Sequence, residues 1–292
     1  MSSDARTRRT RLRPVPEHRP GDLGADELAA RLAPRGVGGV LDRSLAILRE
    51  DLGLLFGAGL ALWLPLRIVL AYELRPAVTD ELTRMALESS AMVLASVVLG
   101  ALAARVVAAR TARGGVDPLR VLALSPLELV GLLVIVVVSS LAGLVGLLMC
   151  FVGTVGAWWL LALAPVVYVL EREHGPVRRI GYALKRSVSL VAGSFWRWLA
   201  IATVVKLLDL VLTLPVGFLD EPGQRLSLAT RFGLDPGLLE ALGVLLGAVF
   251  LALSGAISGV AFAGFYFDQR ARLEGVDLYL ALGGLEDAEA RP

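Results

Sequence analysis

Residues 129–170 read LVGLLVIVVVSSLAGLVGLLMCFVGTVGAWWLLALAPVVYVL, without a single Asp, Glu, Lys, Arg or His. A helix needs roughly 20 mostly apolar residues to cross about 30 Å of hydrocarbon, so this run has the length of two crossings back to back. Water does not reach backbone groups in that layer, so the run must be helical wherever it meets lipid. A break is expected near Met149–Gly156, where Gly153 and Gly156 loosen the helix. The chain reads as an integral membrane protein.

Composition agrees. The 292 residues are 56% hydrophobic, with a mean hydropathy of +0.69. The net charge of +2 says little as a sum, because the placement of the charges carries the information. The one cysteine, Cys150, lies in apolar sequence, which leaves no disulfide framework and no thiolate metal site. The first apolar run begins near Leu52, too late for a signal peptide, and no apolar segment follows Arg8-Arg9 as a twin-arginine signal requires.

Outward from the central run, further spans are expected near 52–72, 89–109, 195–219 and 238–267, with the run itself dividing into 127–148 and 152–170. Segments 1–50, 105–120, 171–197 and 268–292 hold 23 of the 29 lysines and arginines. Segments 73–88 and 219–240 hold two each, and the turn between spans three and four holds none. Basic residues flanking spans stay on the cytoplasmic side. Six spans put every basic-rich segment on one face, whereas five or seven break the alternation. The expected architecture is all-α and integral to the membrane: six transmembrane helices, cytoplasmic interfacial amphipathic helices, and both termini in the cytoplasm.

Residues 1–35 hold six arginines before residue 20 among prolines, with little to bury, and read as a disordered basic tail. Anionic headgroups are a candidate partner for it; a plain topology signal is the other reading. The transmembrane domain covers 36–280, and 281–292 form an acidic C-terminal tail. Gly36–Asp51 (GVGGVLDRSLAILRED) is amphipathic and feeds the first span. Leu41–Leu48 is echoed by Leu184–Val191, and Gly114–Leu124 is a weaker third copy, which suggests three units of interfacial helix plus hairpin.

Three segments also resemble a group of bacterial multi-pass proteins of unknown function, related to the membrane domain found with some glycerophosphodiester phosphodiesterases. They are Gly38-Gly39-Val40-Leu41-Asp42-Arg43-Ser44, then Glu173-His174-Gly175-Pro176 with its basic helix into Phe195-Trp196-Arg197, and the closing stretch Tyr266–Asp277 (YFDQRARLEGVD). The resemblance covers roughly 36–280. It brings no catalytic residues to transfer, and the soluble phosphodiesterase domain of some relatives is absent.

Charges inside spans are the first functional suspects, because each is costly there. Arg67 in span one and the i, i+3 pair Lys206 and Asp209 in span five sit at similar counted depth. They form a candidate intramembrane polar cluster for an anionic substrate or a proton. Equally, Lys206 and Asp209 neutralise each other while Arg67 snorkels outward. Gly255, Gly259 and Gly264 make a candidate helix-packing face, serving either dimerisation or contacts within the bundle. Asp268 and Glu274 are expected to pair with Arg178, Arg179, Lys185 or Arg186 on the cytoplasmic side. Trp196 and Trp198 suit an interfacial belt, while Trp158-Trp159 face lipid or packing.

Neither histidine, His18 or His174, lies in a span, and no metalloprotease, Walker or Ser–His–Asp pattern occurs. The expected function is that of a non-enzymatic scaffold or accessory subunit of a cytoplasmic-membrane complex, or a homo-oligomer. The alternative is a small transporter using Arg67, Lys206 and Asp209. Neither catalysis, a cofactor, a metal nor nucleic acid is expected.

Overall fold

The computed structural model describes residues 34–74, 77, 78, 80–113, 116–148, 151–172 and 174–275. Most of the basic tail, the acidic C-terminal tail, Cys150, Glu173 and the Val276–Asp277 end of the closing motif lie outside the described residues. Among the described residues there are eleven α-helices and no strand. They are α1 (Val37–Glu50), α2 (Leu52–Ile68, continued by a π-helical turn over Val69–Leu74), α3 (Glu81–Arg113), α4 (Pro118–Leu122), α5 (Pro126–Leu148), α6 (Phe151–Leu161), α7 (Ala164–Leu170), α8 (Pro176–Val191), α9 (Phe195–Asp220), α10 (Pro222–Phe232) and α11 (Pro236–Glu274). Six segments are long and apolar enough to cross a membrane: Leu52–Leu74, Glu81–Thr111, Pro126–Leu148, Val152–Leu170, Phe195–Asp220 and Pro236–Glu274. The protein is an all-α, multi-pass membrane protein.

α11 is the axis. Its 39 residues span nearly 60 Å at 1.5 Å per residue, and it packs against α1, α2, α3 and α9. Asp235 caps its start by accepting from the Leu238 N–H, and Gly275 ends it in the left-handed conformation that a side chain disfavours. Along α11 the closest approach to a neighbouring backbone is at Gly259, where an added Cβ would sit 2.9 Å from the Gly100 Cα and 2.7 Å from the Ala103 Cβ of α3. A helix precedes each hairpin, α1 the first, the single-turn α4 the second and α8 the third. α1 lays Val40, Ser44, Ile47 and Leu48 onto the bundle, with the Ser44 hydroxyl donating to the Val260 carbonyl (3.3 Å).

The central hairpin breaks between α5 and α6, at the start of the expected window. Gly153 and Gly156 do not form the turn; both lie inside α6. Gly153 instead lets backbones touch, since a Cβ on Gly146 would fall 2.5 Å from the Gly153 carbonyl. A second break, at Ala162-Leu163, interrupts span four just before Pro165, which has no N–H to continue the ladder. Ser187 of α8 repairs it. Its hydroxyl donates to the Leu160 carbonyl (2.7 Å) and accepts from the Leu163 N–H (3.2 Å), and the serine is fully buried.

The larger apolar core fills the arginine-rich end around Leu55, Val106, Leu163, Tyr168, Ile201 and Phe265. A smaller one around Trp63, Leu99 and Ala252 lies toward the other end. Trp198 is buried in the larger core and not in a belt, whereas Trp196 and Trp158 are exposed. Trp159 packs edge-on against Phe195 at 5.1 Å.

Candidate functional site

The expected intramembrane cluster divides into two sites. Arg67 is buried near the end of α2 and reaches Asp220, the last residue of α9, at 2.6 Å. Its guanidinium lies against Gly247 of α11, where an added Cβ would meet Nη2 at 2.8 Å. Asp209 lies eleven residues back along α9, about 16 Å down the helix axis. Arg67 therefore does not join it. Equal counted depth misled because a long arginine stem carries its charge toward the nearer membrane surface. Around Arg67 and Asp220, a cavity of about 10 Å³ is lined by Glu88, Arg225 and Glu240 as well, room for about one water. Arg225 and Glu240 pair at 3.1 Å.

Lys206 and Asp209 do pair, at 3.1 Å. The second Asp209 oxygen accepts a short hydrogen bond from the Ser254 hydroxyl of α11. The lysine faces outward, with its side chain 76% exposed, near the middle of the 26-residue α9. A lysine at the centre of a spanning helix costs about 2.5–3.5 kcal/mol on insertion scales. Nothing among the described residues beyond Asp209 offsets that cost. α9 is also the span with the smallest share of its apolar window covered by the bundle.

Gly255, Gly259 and Gly264 face inward, toward Leu99, Gly100 with Ala103, and Ser44 respectively. The packing face therefore serves the bundle itself.

At the arginine-rich end, the anticipated pairing is half met. Arg186 of α8 does pair closely with Glu274 of α11, which also receives Arg270 (2.8 Å). Asp268 pairs elsewhere, with Arg197 at 2.6 Å and Arg272 at 3.1 Å, and accepts the Arg35 N–H at 2.8 Å. Arg197 and Arg272 both donate to the Arg35 carbonyl as well (2.7 and 2.6 Å). The chain entering α1 is thus gripped by the start of α9 and the end of α11. Geometry explains the exchange: Arg197 opens the neighbouring helix and Arg272 lies one turn along the same one. Arg178 and Lys185 are exposed on α8 instead. Arg179 turns to Glu128 (3.9 Å) and over the Tyr168 ring (5.3 Å).

The most buried ion pair, Arg105–Glu128, was missed in the sequence. Glu128, in the first turn of α5, receives Arg105 of α3 at 2.8 Å and Arg172 at 2.7 Å. Arg105 also donates to the Ala123 carbonyl (2.6 Å), tying down the segment after α4. Glu128 and Ser125 form a reciprocal cap, Ser125 N–H to carboxylate (3.0 Å) and Glu128 N–H to hydroxyl (3.2 Å). That is the capping-box spacing with proline at the first helical position, so Ser125-Pro126-Leu127-Glu128 was the available signal. Two further knots complete the layer. Asp51, between α1 and α2, takes both arms of Arg110 (2.6 and 2.7 Å). Glu171 accepts from the Tyr182 and Tyr266 hydroxyls (2.6 and 2.7 Å). Carboxylate–arginine pairs of this kind lock helices against one another.

Comparison with family models, with curated proteins and with solved structures finds no match.

Proposed function

We propose that this protein is a non-enzymatic scaffold or accessory subunit of a cytoplasmic-membrane complex, with its arginine-rich end and both termini in the cytoplasm. The observation that carries this reading is that the acidic groups within the spans and at their ends are already engaged. Asp209 is held by Ser254 and Lys206, Asp220 by Arg67, and Glu128 by Arg105 and Arg172. A carrier needs polar groups that change partners as the pathway opens, and broken helices that line a cavity. Here the break in span four is filled by Ser187. The orientation follows from the basic residues, which stay on the cytoplasmic side.

Crosslinking in native membranes followed by affinity capture of the full chain tests the reading. A specific second protein recovered reproducibly is the expected result. Recovery of this protein alone would overturn it. So would solute flux in proteoliposomes that disappears in Lys206→Met or Asp209→Asn, the behaviour of a small permease. Cysteines placed at Arg178 and Arg231 should react from opposite sides of intact cells, with Arg231→Cys the one labelled from outside.

A further inference from the structure

We infer that the outward face of α9 is a self-association surface, where two copies of this chain pair and exchange a Lys206–Asp209 bridge in each direction. This does not depend on the scaffold reading, because it concerns the chain's affinity for itself.

Three observations carry it. The first is the lysine, 76% exposed at the middle of a spanning helix, with three N–H donors and one carboxylate partner. A hydrocarbon environment offers it no further acceptor. The second is its setting. Leu199, Thr203, Lys206, Leu210, Thr213 and Gly217 recur at spacings of four, three, four, three and four, the repeat of a helix–helix seam. Thr203, Lys206, Leu210 and Gly217 are exposed, and a Cβ on Gly217 would touch nothing within 4 Å. Small and hydroxyl-bearing residues along such a seam let backbones approach closely.

The third observation is self-complementarity, which selects a second copy over any other occupant. Two copies in one membrane share an orientation, so a two-fold axis along the membrane normal makes their α9 helices parallel. Residue 206 of each then stands beside residue 209 of the other, offset by about 4.5 Å along the axis, within reach of a lysine stem. Asp209 is partly exposed, at 26%, so a second lysine can reach it. The four charges sum to zero. A partner helix of different sequence would have to supply both a donor and an acceptor at this depth.

The test uses the full chain in lipid bilayers, with association read by energy transfer between two labelled populations as the protein is diluted with lipid. Wild type should associate, and Lys206→Met and Asp209→Asn should each weaken association about tenfold, the loss of two intermolecular bridges of modest strength. An equimolar mixture of the two variants should recover mixed pairs within a few-fold of wild type, because one bridge is restored. Recovery also shows that both variants are folded. In a Cys150→Ser background, Leu210→Cys should form an intermolecular disulfide. Wild type that stays monomeric at every dilution, single variants that associate like wild type, or a mixture no better than its components would each overturn the proposal.

Discussion

Gly259→Ala should be the most damaging of the three small-residue substitutions in α11. The added methyl would stand 2.7 Å from the Ala103 Cβ and 2.9 Å from the Gly100 Cα, while ordinary contacts begin near 3.4 Å. Neither neighbour has a flexible end to move, so α11 and α3 must separate by several tenths of an ångström. α11 also holds α1, α2 and α9, so a shift at Gly259 disturbs four interfaces. Overpacking of this kind costs about 1–3 kcal/mol. Gly57→Ala is the matched control, exposed on α2 with nothing within 4 Å, and removing a helical glycine there should stabilise by about 0.5–1 kcal/mol. The two variants should therefore differ by about 1.5–4 kcal/mol, one to three decades in the unfolding equilibrium. Gly255→Ala meets the Leu99 Cδ2 and Gly264→Ala the Ser44 hydroxyl, at 2.7 and 2.6 Å. Both neighbours are side-chain ends that can turn aside, so these variants should fall between. Fraction folded against SDS mole fraction in mixed micelles ranks all four. If Gly259→Ala unfolds with Gly57→Ala, α3 and α11 do not approach as described.

Arg105→Met should cost about 3–5 kcal/mol by stranding the buried Glu128, moderated by Arg172, which stays at 2.7 Å. The double variant Arg105→Met/Glu128→Leu should regain part of that in the same unfolding assay, and a double variant no better than the single would count against a desolvation origin. Ser187→Ala leaves the Leu160 carbonyl and the Leu163 N–H without their partner. It should cost about 1–3 kcal/mol and speed hydrogen exchange at Leu163, while unchanged protection there would refute the repair of the helix break. At the start of α3, the Thr83 hydroxyl and N–H hold the Asp80 carboxyl below the ordinary carboxylate range. A folded-state value below the unfolded one means the cap is fully present above the unfolded value and is lost as pH falls through the folded one. The first turn of α3 should fray only in that acid window; an NMR titration placing Asp80 at or above the ordinary range would remove the effect.

The spans were readable from the chain because lipid dictates their length and forbids unpaired backbone within them. No partner had to be known for that. The charged contacts were readable mainly where the helix itself supplies the geometry, Arg186–Glu274 between α8 and α11 being the exception. Lys206 and Asp209, three residues apart on one turn, meet as expected; Arg270 and Glu274, four apart, pair in the same way, although only partners on the other helix were expected for Glu274. Arg67–Asp220 and Arg105–Glu128 cross between helices. Their formation depends on azimuth and tilt, neither of which residue counting measures. Asp220 lies one residue beyond the expected 195–219 span, yet it is the residue a snorkelling arginine can reach.

The convergence of the three resembling segments belongs to the same class of information. Arg197 of the Phe195-Trp196-Arg197 segment and Asp268 and Arg272 of the closing stretch meet on the backbone of Arg35, just ahead of Gly38–Ser44. Such a joint fixes where α1 leaves the bundle, and two of its bonds use the Arg35 carbonyl and one its N–H, which any residue but proline would supply. The side chains that matter are therefore those of Arg197, Asp268 and Arg272. Asp268 is the centre, because its 4%-exposed carboxylate takes bonds from both arginines and from the main chain. Losing it would leave Arg197 and Arg272 holding a carbonyl without a counter-charge, whereas losing either arginine would leave the other in place.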